Sequence, residues 1–241
     1  MVVNFFDTLG IGSFAPTTAL LRTFKQIDDR VLPGTLNVAC TIPVIVEAFA
    51  FIRAVEVEPI TLTSMLVAAS VGSYFGAGFM SKLPKATVQR VMAVALGLAG
   101  LVMLFQMLGI FPGGGEAIGL TGVALVIGVV GNLILGALMT AGVGLYAPCM
   151  ALVYLLGMSP AVAFPIMMGS CAYLMPICSV KFIKEGAYNR KASMAITIFG
   201  VVGVLIAVFL VTSLPLTILK WLVVCVIVYT SISMFKASKT A

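Results

Sequence analysis

A run of 64 residues without a charged side chain, residues 117–180, constrains this chain more than any other feature. Further charge-free runs cover residues 59–81, 91–115 and 192–219. A helix needs roughly 20 apolar residues to cross the bilayer core, so the longest run holds more than one membrane segment. The runs are too long for β-barrel strands and lack their alternation, which leaves helices to satisfy the backbone in lipid. The sequence therefore predicts an all-α polytopic membrane protein, with the lipid bilayer as its solvent.

Composition narrows the classes of function. Only 9% of the residues are charged, whereas a soluble domain carries about a quarter. The net charge of +6 fits basic cytoplasmic loops, because no basic cluster with interleaved aromatic residues indicates a nucleic-acid partner. The chain has no histidine, which removes the commonest general base and metal ligand. We expect no metal, no cofactor and no enzymatic activity, since the chain also lacks H-E-x-x-H and paired membrane aspartates.

Proline and glycine divide the apolar runs into helices. Full membrane helices are predicted at residues 33–53, 59–81, 87–108, 117–139, 160–181, 191–212 and 216–236. Shorter apolar stretches at residues 15–24 and 147–157 follow glycine-rich turns and are too short to span comfortably. Three consecutive glycines at 113–115 mark a boundary between residues 1–112 and residues 113–241.

The two halves repeat one pattern. Residues 8–20 and 140–152 align at an offset of 132, with seven of thirteen positions identical. Pro33 and Pro165 continue the match, and after a one-residue deletion Leu83-Pro84 meets Leu214-Pro215. Chance apolar similarity would not align glycine, proline and basic positions in order. We therefore predict two repeats, each a broken or re-entrant helix plus three transmembrane helices.

The charges predict that these repeats are inverted. Counting crossings along the chain places twelve of the fourteen Lys and Arg residues on one side, with Arg53 and Lys220 on the other. The positive-inside rule makes the crowded side cytoplasmic, in a cell membrane. Helix 33–53 then leaves the cytoplasm while helix 160–181 enters it. Segments 117–139 and 147–157 make either two crossings or one re-entrant hairpin, and both alternatives give the same parity.

The first half lacks one helix of the second. Nine residues precede its glycine turn, where the second half has residues 117–139. Either the first helix is truncated or the protein begins upstream. We expect residues 1–9 to be the least anchored membrane segment, with Asp7 near water or a basic group.

The ordered double pattern resembles the sulfite exporter TauE/SafE family of membrane permeases over nearly the whole chain. The matching elements are Gly10-Ile-Gly12 with Pro16, Pro33-Gly34-Thr35, Lys82-Leu83-Pro84, Gly142-Val-Gly144 with Pro148, Gly169-Ser170 and Leu214-Pro215. The resemblance implies a secondary transporter for a small sulfur-containing anion such as sulfite or an organosulfonate. A structural or assembly subunit of a membrane complex, or a permease for another small organic anion, is the alternative. Whether the chain forms a homo-oligomer stays open.

The two glycine turns are the first candidate binding elements. Glycine lets the backbone leave the helical region, and proline is favoured in the first turn of the next helix. The new helix start presents free N–H groups and a partial positive charge, which bind an anion without Lys or Arg. Close helix packing is the alternative explanation for such glycines. The candidate residues are Thr8, Gly10, Gly12, Pro16, Thr17, Thr140, Gly142, Gly144 and Pro148, with Thr18 and Tyr146 as further hydroxyl donors.

A second candidate group lies at the starts of the long helices. Its members are Thr35, Asn37, Thr41, Ser170 and Tyr173. They either line the anion site or make hydrogen bonds between helices. Glu47, inside helix 33–53, is a candidate for proton coupling, with snorkelling or pairing to Arg53 as alternatives. We assign no binding role to Asp7, because a carboxylate would repel an anion unless protonated.

Overall fold

The computed structural model describes residues 1–10, 12–28, 31–80, 85–108, 115–140, 144–212 and 215–240. Within these residues the regular structure is helical. The helices are α1 (Val2–Thr8), α2 (Phe14–Thr23), α3 (Leu32–Ala54), α4 (Pro59–Met80), α5 (Lys85–Met107), α6 (Gly122–Thr140), α7 (Tyr146–Leu155), α8 (Pro160–Lys184), α9 (Arg190–Thr212) and α10 (Leu216–Thr240).

Four helices among the described residues are long and apolar enough to cross a membrane. They lie within α3, α6, α8 and α9. Large apolar side chains also cover their outer faces: Val123 on α6 is 75% exposed and Phe209 on α9 is 81% exposed. Exposed apolar surface of this extent along long helices marks contact with lipid or another protein. The prediction of a helical membrane protein agrees with both observations.

The predicted helix positions agree with the structure within a few residues, with one instructive exception. Helix α6 begins at Gly122, five residues after the predicted start at 117. The intervening residues pair with neighbouring segments instead of continuing the helix. The Glu58 N–H donates to the Ile118 carbonyl at 2.9 Å, and the Leu120 N–H donates to the Thr61 hydroxyl at 2.8 Å. These bonds satisfy backbone groups that a helix would otherwise pair internally.

Helices α6 and α7 together return the chain to the end at which it entered them. The chain enters at Ala117, runs through α6 and α7, and returns to the same end at Met158. Ala117 and Met158 form an isolated parallel bridge, and the Ser159 N–H donates to the Ala117 carbonyl at 2.9 Å. Helix α8 therefore starts at the end where α6 started, as both alternatives for α6 and α7 require.

Helices α3 and α8 form the centre of the molecule. Helix α3 packs against α8 and α9, α4 packs against α6 and α8, α5 packs against α10, and the short α1 packs against α9. Phe51 of α3 stacks on Phe164 of α8 with 5.1 Å between ring centroids. The Thr197 hydroxyl of α9 donates to the Ala39 carbonyl of α3 at 2.9 Å. These contacts fix the elements that surround the candidate site.

Candidate functional site

Both glycine turns border one cavity of about 60 Å³. Gly12 and Ser13 reach it from the turn before α2, and Gly144 and Tyr146 reach it from the start of α7. The described residues of the lining are Asp7, Gly12, Ser13, Phe14, Val44, Met139, Gly144, Leu145, Tyr146, Ala147, Cys171, Met175 and Thr230. The wall is mostly apolar, with a few polar groups from the two turns and from α1 and α10. Segments far apart in sequence thus converge on one small space.

The turn before α2 requires glycine at two positions. Gly10 and Gly12 have φ angles of +91° and +85°, a region that side chains with a Cβ rarely adopt. A Cβ at Gly10 would also lie 2.8 Å from Cε of Met150, whereas one at Gly12 or Gly144 would meet nothing within 4 Å. The latter two positions therefore border open space. Pro16 and Pro148 lie in the first turns of α2 and α7, where a missing N–H removes no helical hydrogen bond.

Glu47 is the buried polar centre beside this cavity. Its side chain is 0% exposed and points inward from α3. The Thr8 hydroxyl of α1 donates to Oε1 at 2.9 Å, and the Tyr146 hydroxyl of α7 donates to Oε2 at 3.1 Å. Arg53 instead lies over the Phe49 ring, 5.6 Å from its centroid. The snorkelling and Arg53-paired alternatives are therefore wrong, and Glu47 joins three helices in the interior.

Asp7 occupies a different place from the one that the sequence suggested. We expected it near water or beside a basic group, but it is 2% exposed and lines the cavity. It accepts hydrogen bonds from the hydroxyl and the backbone N–H of Ser13. Its Oδ2 has no hydrogen-bond partner among the described residues. Asp7 is buried because α1 packs on α9 and turns its polar side toward α3. Asn4 and Thr8 on that side are buried with it.

Two of the buried cysteines adjoin the same region. Cys171 lines the cavity, and the Ser13 hydroxyl lies 3.6 Å from Sγ of Cys40. Cys40, Cys149 and Cys171 are all buried and free of disulfides. Burial is the usual behaviour of free cysteine in a core, and these three side chains pack as small apolar groups.

The second candidate group makes hydrogen bonds between segments and does not line the cavity. The Thr35 hydroxyl accepts from the Asn189 N–H at 2.9 Å, and the Thr41 hydroxyl lies 2.9 Å from that of Ser179. The Ser170 hydroxyl accepts from Nδ2 of Asn132 on α6 at 2.9 Å. The alternative of interhelical hydrogen bonding therefore describes these residues.

Tyr173 and Asn37 also lie away from the cavity lining. Tyr173 is 61% exposed on α8, while its neighbours Cys171 and Met175 line the cavity. Asn37 is half-buried near the start of α3, and its carbonyl accepts from the Thr41 hydroxyl. Helix α3 reaches the cavity at Val44, seven residues or roughly 10 Å beyond Asn37, whereas Tyr173 lies on the outer face of α8.

Of the remaining predicted site residues, some are buried and others lie outside the part of the chain that the structure describes. Thr17 is buried in α2, and its hydroxyl has no partner among the described residues. Thr8 is fully buried, and its hydroxyl lies within hydrogen-bond distance of two acceptors, the Asn4 carbonyl and Oε1 of Glu47. Gly142 and the side chain of Thr140 lie outside the described residues.

Sequence reasoning missed several residues of the cavity wall. Ser13 lies between Gly12 and Pro16, both of which are predicted site residues. Thr230 belongs to α10, the last helix. Asp7 carried a signal, because it is a charged residue immediately before an apolar glycine turn. Thr230 carried none, since a lone threonine in a membrane helix commonly bonds its own backbone.

The comparisons with known proteins give no family for this chain. No family model matches it. No curated protein and no solved structure matches it significantly.

Proposed function

We propose that this chain is a secondary transporter, a permease or exporter, for a small sulfur-containing anion such as sulfite or an organosulfonate. The observation that supports this most is the meeting of both glycine turns at one cavity. Broken helices at corresponding positions of two halves are the best sequence pointer to a transport site. Here the helix starts after the two breaks contribute to the same wall.

The physical basis for anion binding is the pair of helix starts. The first N–H groups of a helix have no partner within it, and the helix dipole places about half a positive charge there. Each dipole contributes about 0.3–1 kcal/mol at exposed positions and up to about 2 kcal/mol when partly buried. The described residues of the cavity lining include no Lys or Arg. Two helix starts with several hydrogen bonds would give moderate affinity and permit release.

Helix packing supports the proposal of two inverted repeats. If each helix is replaced by its counterpart in the other half, α3 becomes α8, α9 becomes α4 and α1 becomes α6. The α3–α9 contact then corresponds to the α8–α4 contact, and the α1–α9 contact corresponds to the α6–α4 contact. All four contacts occur. The close approaches correspond as well. A Cβ on Gly72 would collide with the backbone of Leu133, and a Cβ on Gly203 would collide with the backbone of Met1. The pairs are related by offsets of 131 and 132, as in the sequence repeat.

We place the Lys- and Arg-rich loops in the cytoplasm of a cell. Under the positive-inside rule, α3 leaves the cytoplasm and α8 enters it. The path through α6 and α7 is consistent with this assignment, because the chain returns to its starting end in either arrangement of the two helices. The substrate class comes from the resemblance to the TauE/SafE permeases and has no independent support from the cavity.

Transport by the purified chain tests the proposal. A thermal-shift screen with sulfite, sulfate, thiosulfate, taurine and sulfoacetate selects a substrate, and its exchange across proteoliposomes containing only this protein is then measured. Substituting Gly144 with Ala, Val and Leu should reduce exchange progressively, because nothing lies within 4 Å of the added Cβ and the growing side chain fills the cavity. Undiminished exchange by Gly144→Leu would place the path elsewhere. No exchange of any of the five compounds would favour a structural subunit or another anion.

A further inference from the structure

Two buried carboxyl groups lie together beside the cavity. Asp7 comes from α1 and Glu47 from α3, and they are 2% and 0% exposed. Thr8, the residue after Asp7, donates to Oε1 of Glu47 at 2.9 Å, which brings the two carboxyl groups into one buried region. Sequence analysis does not pair them, because they lie 40 residues apart and Asp7 precedes a turn.

The two members of the pair have different hydrogen-bond environments. Both oxygens of Glu47 accept from hydroxyl groups, those of Thr8 and Tyr146. Asp7 accepts from Ser13, but its Oδ2 has no donor among the described residues. Asp7 also lines the cavity, whereas Glu47 lies behind Tyr146. The free carboxyl oxygen is therefore on the member that borders the space where we place the substrate.

The described titratable groups that face the pair supply no compensating positive charge. Cys40 on α3, Tyr146 on α7 and Cys171 on α8 are the titratable groups near it. Among the described side chains, no Lys or Arg contributes to the electrostatic surroundings of either carboxyl group.

The charged residues of the helix that packs against α1 are remote. Arg190 and Lys191 are the charged residues of α9, and both lie exposed in its first turn. The segment of α9 near α1 presents Gly200 and Gly203. An unpaired buried carboxylate costs several kcal/mol or more, and two adjacent like charges cost more than one. The pair therefore retains a proton in the apolar interior.

We propose that the Asp7–Glu47 pair is a proton-binding site that couples anion transport to proton movement. The proposal rests on the proposed function. The proton resides on Oδ2 of Asp7, where the protonated carboxyl group donates a hydrogen bond to the anion and removes the repulsion that a carboxylate would exert. Anion and proton then bind together and leave together. The step breaks one O–H bond at Asp7 when the proton returns to water and forms it again at the next loading.

A proton suits this site better than a metal cation. Hard cations such as Ca²⁺ and Mg²⁺ take six or more oxygen ligands. The cavity wall includes five large apolar side chains that offer no oxygen ligand, those of Phe14, Val44, Met139, Leu145 and Met175. Both oxygens of Glu47 already accept hydroxyl hydrogen bonds. A proton needs one free carboxyl oxygen, and Asp7 provides it.

Proteoliposomes containing the full chain test the coupling. Exchange of the selected anion without gradients reports the proposed function, and uptake driven by an acidic exterior reports the coupling. One proton per anion, moved without net charge, gives about tenfold accumulation per pH unit. We expect this accumulation for the unaltered protein and its loss, relative to exchange, in Asp7→Asn and Glu47→Gln. Glu56→Gln and Glu116→Gln, at exposed positions, are the matched controls and should accumulate normally.

The outcomes separate the two proposals. Exchange by the unaltered protein with no response to the pH gradient would overturn the coupling and leave the proposed function intact. Accumulation driven by a sodium gradient, or normal acid-driven accumulation by Asp7→Asn, would also overturn it. Absence of exchange for all five compounds would refute the proposed function and the coupling with it. Infrared spectroscopy provides a readout without substrate: the carbonyl band of a protonated carboxyl group should be present at neutral pH and lost or shifted in Asp7→Asn.

Discussion

The hydrogen bond between Asn132 and Ser170 is expected to stabilise the fold and to have no part in substrate binding. Both side chains are 0% exposed. Nδ2 of Asn132 donates to the Met65 carbonyl of α4 at 2.8 Å and to the Ser170 hydroxyl of α8 at 2.9 Å. One side chain thus joins α6 to two neighbouring helices. Removing it should loosen both contacts.

The expected magnitude follows from the number of bonds lost. Hydrogen bonds between membrane helices contribute about 0.6 kcal/mol on average and at most about 1.7 kcal/mol. Ser170→Ala removes one such bond and should cost about 0.6 kcal/mol. Asn132→Ala removes two and should cost about 1 to 2 kcal/mol, with part of the loss arising from the space left behind. In the double variant the shared bond is lost once, so the combined loss should fall short of additivity by about 0.6 kcal/mol.

Unfolding of the purified chain in mixed micelles, titrated with SDS and followed by circular dichroism, measures these free energies. A cycle of Asn132→Ala with Thr197→Ala is the control, because Thr197 bonds the Ala39 carbonyl elsewhere and the two losses should add. A coupling between Asn132 and Ser170 below about 0.3 kcal/mol would refute the assigned bond. A loss of substrate affinity in Ser170→Ala without loss of stability would return Ser170 to the binding site.

Three further outcomes are expected. Gly136→Leu should prevent close packing of α6 on α4, since an added Cβ collides with the facing α4 backbone, and the folded yield in detergent should fall sharply compared with Gly144→Ala. Glu58 caps α4 through the Ile60 and Thr61 N–H groups, and its hydrogen bonds, chiefly those from Thr61, hold the pKa of this carboxyl below its usual range. Its contribution is therefore present at neutral pH and lost as pH falls through the lowered pKa, so the thermal stability of Glu58→Gln should fall below that of the unaltered protein at neutral pH and converge with it in acid. With native cysteines replaced by alanine, an impermeant thiol reagent applied to intact cells should label a cysteine at Glu116 and spare one at Lys184; labelling of both would contradict the sidedness.

The sequence by itself determined where the helices lie. Charge-free runs and their proline and glycine boundaries placed α3, α4, α8 and α9 within a few residues, because a backbone in lipid must form helices wherever the chain stays apolar. The positions of the short helices after the glycine turns also follow from the local sequence. Gly12 with Pro16, and Gly144 with Pro148, specify a break and a new helix start without help from distant residues.

Only the tertiary structure decided which faces of those helices meet. In lipid, both the buried and the outer side chains are apolar, so periodicity does not reveal the packed face. Ser170 and Cys171 are adjacent, yet one bonds α6 and the other borders the cavity. The return of the chain from α7 to Ala117, and the approach of Asp7 to Glu47, likewise depend on contacts between segments distant in sequence. Burial of a carboxyl group is set by its neighbours from other helices, and those neighbours exist only in the assembled fold.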